Sequence, residues 1–191
     1  MSRTLLVYGA AIVAGLGLFS LIRALFGYEI VLVLSIGVLV VAVVIIFRNL
    51  ATNRKVTEAN PAQRSEALAF APAESKAVLF IYRDQFVGRA VGINVLIDGR
   101  EVAHLKSPRF TRLTLTPGAH RIAGYTGTNK KPGDNEGMML NAAAGDVLVL
   151  KCEVEPQIVG VTVKFTPMSA EAARADVQKI ARMVVPDATE I

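Results

Sequence analysis

Few residues in this chain are suited to moving a proton, holding a metal or forming a covalent bond. The two histidines, His104 and His120, have no partner at the i,i+2 or i,i+4 spacing that ligands on one strand or helix show. His120 shares the strand parity of Ile122, so it is expected at the rim of a core, bonded to a backbone group. His104 ends its strand beside Lys106, with no carboxylate at a telling spacing. The only cysteine, Cys152, runs in step with Leu148, Leu150 and Val154, which reads as an inert buried thiol rather than a nucleophile. Asp98 belongs to an Asp-Gly turn, Asp134 and Glu136 lie in an unpatterned loop, and Arg83-Asp84 reads as a salt link at a strand end. The loop 126–137 contains Gly, Lys and Thr, but not in the order of a phosphate-cradling loop. No catalytic constellation assembles. The expectation is a non-enzyme without metal or cofactor.

Charge is the stronger signal. Between residues 76 and 131 there are ten basic residues against three acidic ones, a net of +7; from 132 to 191 there are five against nine, a net of −4. Arg83, Arg89, Arg100, Arg109, Arg112, Arg121, Lys130 and Lys131 are therefore the candidate contacts to an anionic membrane surface or a protein partner, at about 1 kcal/mol per well-placed cation at a lipid surface. Nucleic acid is excluded as the expected partner because no aromatic residues alternate with the basic ones to stack on bases. One cysteine allows no disulfide framework within the chain, and no cysteine follows the first apolar run to take a lipid.

The elements that carry this basic region start from two apolar runs, 5–22 and 30–47, separated by a short stretch holding Arg23 and Glu29. The second run has eighteen residues without a charge, fifteen of them Val, Ile, Leu or Phe. As a helix it is about 27 Å long and inserts into lipid with about −6 kcal/mol. The first run is diluted by glycine, but Ala10 and Ala14, and Ala11 and Gly15, are spaced for close helix packing. The expectation is a two-helix transmembrane hairpin over 1–47. Arg3 on one flank and Arg48, Arg54, Lys55 and Arg64 on the other place both ends on the cytoplasmic side of a bacterial inner membrane, with a periplasmic soluble domain as the alternative.

Residues 48–76 read as a linker whose first part prolongs the second helix to Asn60-Pro61, followed by a short helix over 62–70. From 77 the hydrophobic period becomes two. Strands are expected at 77–83, apolar on both faces and so central, and at 92–98, 100–105, 109–115, 119–125, 138–142, 146–155 and 157–165. Ile93, Val95 and Ile97 face inward, as do Val159, Val161, Val163 and Phe165 of the last strand. Asp98-Gly99 pins a hairpin. Eight short strands with frequent turns predict a mainly β domain over 77–191, an antiparallel β-sandwich closed by an amphipathic helix over 169–184. That helix is capped by Ser169 and striped by Ala173, Val177, Ile180 and Val184.

The order of Ile81-Tyr82-Arg83, the Val87-Gly88-Arg89 loop, the strand from Ile93 into Asp98-Gly99, a basic strand and the run from Thr116 to Ile122 resembles a bacterial domain family of unknown function. That family is similar to PEGA-type β-sandwiches and is found in lipoproteins and membrane-anchored proteins. The resemblance implies a fold and no reaction. This chain differs in carrying a helical anchor where lipoprotein members carry a lipidated cysteine. The expected function is a non-catalytic, membrane-anchored β-sandwich making protein or lipid contacts, as a homo-oligomer or a subunit or accessory factor of a membrane assembly. A small-ligand or envelope-polymer binder, with its pocket between the sheets or beside the 126–137 loop, is the alternative.

Overall fold

The computed structural model describes residues 3–51, 54–127, 129–133, 135–157 and 161–191. Met1–Arg48 and Asn49–Ile191 form two compact units. The first is a single helical element, α1 (Arg3–Ala51), in which Gly27 alone has non-helical backbone angles, φ 78° and ψ 171°. This corrects the expected pair of helices joined by a charged turn: Arg23 and Glu29 are helical. With no proline between the two runs, only the residue lacking a Cβ leaves the helix, into a region of backbone space that glycine alone enters readily. From Ile12 to Ile45 the helix is long and apolar enough to cross a bilayer. Among its described side chains only Val31 is buried. A shallow groove of about 390 Å³ is lined from both sides of Gly27, by Gly15, Leu18, Phe19 and Ile22 and by Val31, Leu34, Ser35 and Val38. Ala14 and Gly15 are exposed, and a Cβ at Gly15 would meet nothing within 4 Å, so no backbone approaches closely there. The side chains of Ala10 and Ala11 lie outside the described residues.

The second unit has two sheets. Its elements are α2 (Pro61–Leu68), β1 (Ala77–Arg83), β2 (Ile93–Ile97), β3 (Arg100–Leu105), β4 (Arg109–Leu115), β5 (Gly118–Thr126), β6 (Met138–Ala142), β7 (Val147–Pro156), β8 (Val161–Met168), α3 (Ala170–Lys179) and β9 (Met183–Val184). The five-stranded sheet has the order β8-β7-β1-β4-β9 and the four-stranded sheet β3-β2-β5-β6. β1 is central and fully buried, as its two apolar faces require. Its inward face, Ala77, Leu79 and Ile81, joins Ile93, Val95, Ile97, Leu113, Leu115, Leu150 and Cys152 in the core between the sheets. Its other face, Val78, Phe80 and Tyr82, packs with Ala67 of α2 and Phe70 beyond it, and with Ala173 and Val177 of α3 and Ile180 just past its end. Phe70 and Phe80 stack with centroids 4.3 Å apart.

Four expectations are corrected. The larger sheet is mixed, because β1 pairs with β7, and β4 with β9, in parallel; both pairings follow excursions through other elements, which relieve the antiparallel constraint of tight hairpins. The C-terminal helix ends at Lys179, and Ile180 is extended, because Met183 and Val184 pair with Phe110 and Thr111 as a ninth strand. Edge strand β8 runs on to Met168, three residues past its expected end, and carries Pro167, which an edge tolerates; residues 158–160, Val159 among them, lie outside the described residues. Finally, 48–76 is not a spacer. Val56 packs on the inter-sheet core, Glu58 bridges Val184, and Asn60, rather than stopping α1, caps α2 in a capping box with Gln63.

Candidate functional site

The two histidines are tied into the framework. His120 Nδ1 lies 2.7 Å from Asp98 Oδ2, and its Nε2 lies 2.8 Å from the Thr116 carbonyl oxygen. Asp98 Oδ1 accepts the Arg121 backbone N–H at 2.8 Å. Asp98 and Gly99 have positive φ, 50° and 76°, so the turn expected from Asp-Gly is present and its carboxylate clasps β5. Burial opposes the imidazolium, but acceptors at both ring nitrogens outweigh it and raise the His120 pKa. Burial likewise works against the Asp98 carboxylate, yet the Arg121 amide and His120 together hold its pKa below the ordinary value. His104 is buried with Nδ1 2.6 Å from Asn94 Oδ1. Its pKa falls to about 4, by burial first and then by Arg54, Lys106 and Arg109. The ring is neutral at pH 7. The Cys152 thiol is fully buried, which pushes its pKa up to about 12. No group of three or more His, Cys, Asp or Glu among the described residues is arranged to hold a metal ion.

The eight candidate cations do not form one surface. Arg83 is fully buried, which corrects its assignment as a surface contact. Its guanidinium donates to the carbonyls of Val91 and Gly88, the latter at 2.8 Å, and weakly to Leu105 at 3.5 Å. Burial lowers its pKa. The Arg83-Asp84 salt link is also corrected: Asp84 faces Lys151 of β7, at 3.6 Å. Arg112 is half-buried and lines a small cavity with Gln63, Glu66 and Thr114, while Arg100 is exposed. Lys130 and Lys131 belong to the 126–137 loop and Arg121 lies beside it; Lys131 Nζ donates to Gly99 O at 3.1 Å.

That loop joins β5 to β6 as the expected hairpin connection. Asn129 Nδ2 donates to Val161 O at 2.7 Å, folding it back on β8. The result is an open groove of about 440 Å³ walled by Tyr125, Lys130, Glu136, Glu155 and Phe165. The inter-sheet core occupies the space between the sheets, while this groove lies beside the 126–137 loop, the other place where a pocket is expected.

Arg89 and Arg109 do come together. With Lys106 and Arg182 they wall a groove of about 520 Å³ built from the loop after β1, the β3–β4 turn at Ser107-Pro108 and the α3–β9 connection. Arg109 pairs with Glu58 at 2.9 Å and Arg182 with the same oxygen at 3.7 Å. Arg89 and Lys106 form no ion pair among the described residues. Nothing in the sequence links Lys106 to Arg182, which lie 76 positions apart in segments brought together by β4–β9 pairing. With Glu58 set against two of the four cations, the depression keeps an excess of positive charge, which favours an anion over a cation there. Comparison with protein-family models, with curated proteins and with solved structures finds no match to this chain.

Proposed function

We propose that this chain is a non-catalytic, membrane-anchored β-sandwich: α1 holds it in a bacterial inner membrane, and the sandwich makes lipid or protein contacts, as a homo-oligomer or a subunit or accessory factor of a membrane assembly. One observation carries the reading, the near-complete exposure of an apolar helix from Ile12 to Ile45. In water that surface has no counterpart; in hydrocarbon it is solvated. Thirty-four residues of helix are about 51 Å long against a hydrocarbon core of about 30 Å, so a straight crossing leaves much of the run in water. The break at Gly27 divides α1 into two arms that are each long enough to cross, and the shared groove lined by 15–22 and 31–38 supports their folding back on each other. Both arms then cross, with Arg3 and Arg48 on the cytoplasmic side together with the sandwich.

Paired fusions test this. Green fluorescent protein after Ile191 is expected to fluoresce and alkaline phosphatase there to be inactive, whereas phosphatase fused after Gly27 is active. Active phosphatase after Ile191 moves the sandwich to the periplasm. Extraction of the chain from membranes by alkaline carbonate sinks the anchor itself.

A further inference from the structure

Among the described residues of the sandwich unit, only Phe86, Val87 and Met139 are large apolar side chains left in water; Phe86 is 83% exposed and Val87 54%. The first two are adjacent and sit at a loop tip gripped from both sides. Before them, the Gln85 amide donates to Val154 O at 2.7 Å and accepts from Val154 N at 2.8 Å, locking the loop to β7. After them, the buried Arg83 guanidinium holds the carbonyls of Gly88 and Val91. A guanidinium buried without a carboxylate is costly, and what it achieves here is to fix an apolar tip in solvent. Arg89 follows at once, and with it the groove shared with Lys106, Arg109 and Arg182, against which only Glu58 is set among the described residues.

We propose that this end of the sandwich docks on an anionic bilayer surface, Phe86 and Val87 entering the interface while Arg89 and Lys106, in the groove they share with Arg109 and Arg182, take lipid phosphates. An aromatic and an aliphatic side chain beside a cluster of cations fits the apolar-to-phosphate boundary of a membrane. Two side chains offer far less apolar area than the roughly 800 Å² per partner of a stable protein interface, which is why lipid is the occupant assigned. The proposal rests on the reading of α1 as a bilayer anchor, which keeps the sandwich within reach of headgroups.

The chain has no tryptophan, so Phe86→Trp installs a single reporter. The full chain is reconstituted with vesicles of phosphatidylcholine, alone or mixed with phosphatidylglycerol, and with brominated acyl chains. In the mixed vesicles the emission is expected to shift to the blue and to be quenched by bromine; in phosphatidylcholine alone it stays solvent-like, and added salt reverses the shift. Arg89→Gln with Lys106→Gln lowers the docked-to-undocked ratio about thirty-fold. Met139→Trp, the control, remains solvent-like in both. Flotation reads the anchor independently. A chain that floats with both compositions but keeps solvent-like Phe86→Trp emission overturns the docking and leaves the anchor standing. One that floats only with the anionic vesicles, blue-shifted, supports the docking and overturns the anchor, and one that floats with neither overturns both.

Discussion

His120 and Asp98 pair directly, their pKa values move in opposite directions, and their linkage to stability has a definite sign. His120 titrates above its ordinary 6.5 in the folded chain, so its stabilisation is complete below 6.5 and is lost as pH rises through the raised folded value. Asp98 titrates below its ordinary 3.8, so its contribution is present above 3.8 and is lost as pH falls through the lowered folded value. Both are ionised together between those limits. In neutral detergent, the difference in melting temperature between the native chain and His120→Gln is expected to be widest from about pH 4 to 6 and to narrow on either side; curves that stay parallel across that span would falsify the linkage. Residue roles of this kind were half legible. Parity alone placed Cys152 inward and His120 at a rim bonded to a backbone group, which is Thr116 O four positions back, but the carboxylate partner of His120 lies 22 positions away across a turn. Arg83 was misplaced because the rule that a terminal arginine reaches water ignores three carbonyls delivered by residues 88, 91 and 105.

At the scale of elements, local chemistry carried most of the strands. The Asp-Gly turn, the doubly apolar β1 and the alternation in β2, β4 and β7 depend on neighbours in sequence, and they appear where expected. What escaped depends on partners far along the chain. Met183 and Val184 continue a helical stripe in pattern, yet an open edge of β4 pairs with them and converts them to strand. Residues 56–70 look like a tether, yet both cores have places for Val56, Ala67 and Phe70. A further long-range feature is the close approach of β5 to β8, where a Cβ on Gly124 would stand 2.8 Å from Val163 Cγ1 and 3.0 Å from the Phe165 ring. Gly124→Ala is therefore expected to destabilise by about 1–3 kcal/mol, by overpacking. Val163→Ala in the same chain should return part of that loss. Equal urea midpoints for the native chain and Gly124→Ala, or strictly additive effects of the two substitutions, count against the contact.

For the whole molecule, the question is whether the sandwich depends on α1. Asn49–Ile191 supplies both of its cores from its own residues: the inter-sheet core draws on 56 to 191, and the helix-side core on 59 to 183. A chain of that length buries enough apolar surface to fold alone. Its described large apolar side chains are covered except at Phe86, Val87 and Met139, too little surface to drive aggregation. Residues 49–191 expressed alone are thus expected to be monomeric in water and to unfold in one cooperative transition, read by size exclusion and calorimetry. Aggregation, or loss of the transition, means that the sandwich does not fold independently of α1. The same fragment separates anchoring from docking. If the Phe86 tip and the Arg89–Lys106 groove bind lipid by themselves, the fragment still sediments with phosphatidylglycerol-containing vesicles, but more weakly and with a steeper dependence on salt. With α1 as the anchor, the fragment has lost what would keep its local concentration at the surface high, and what remains is screened charge and two apolar side chains.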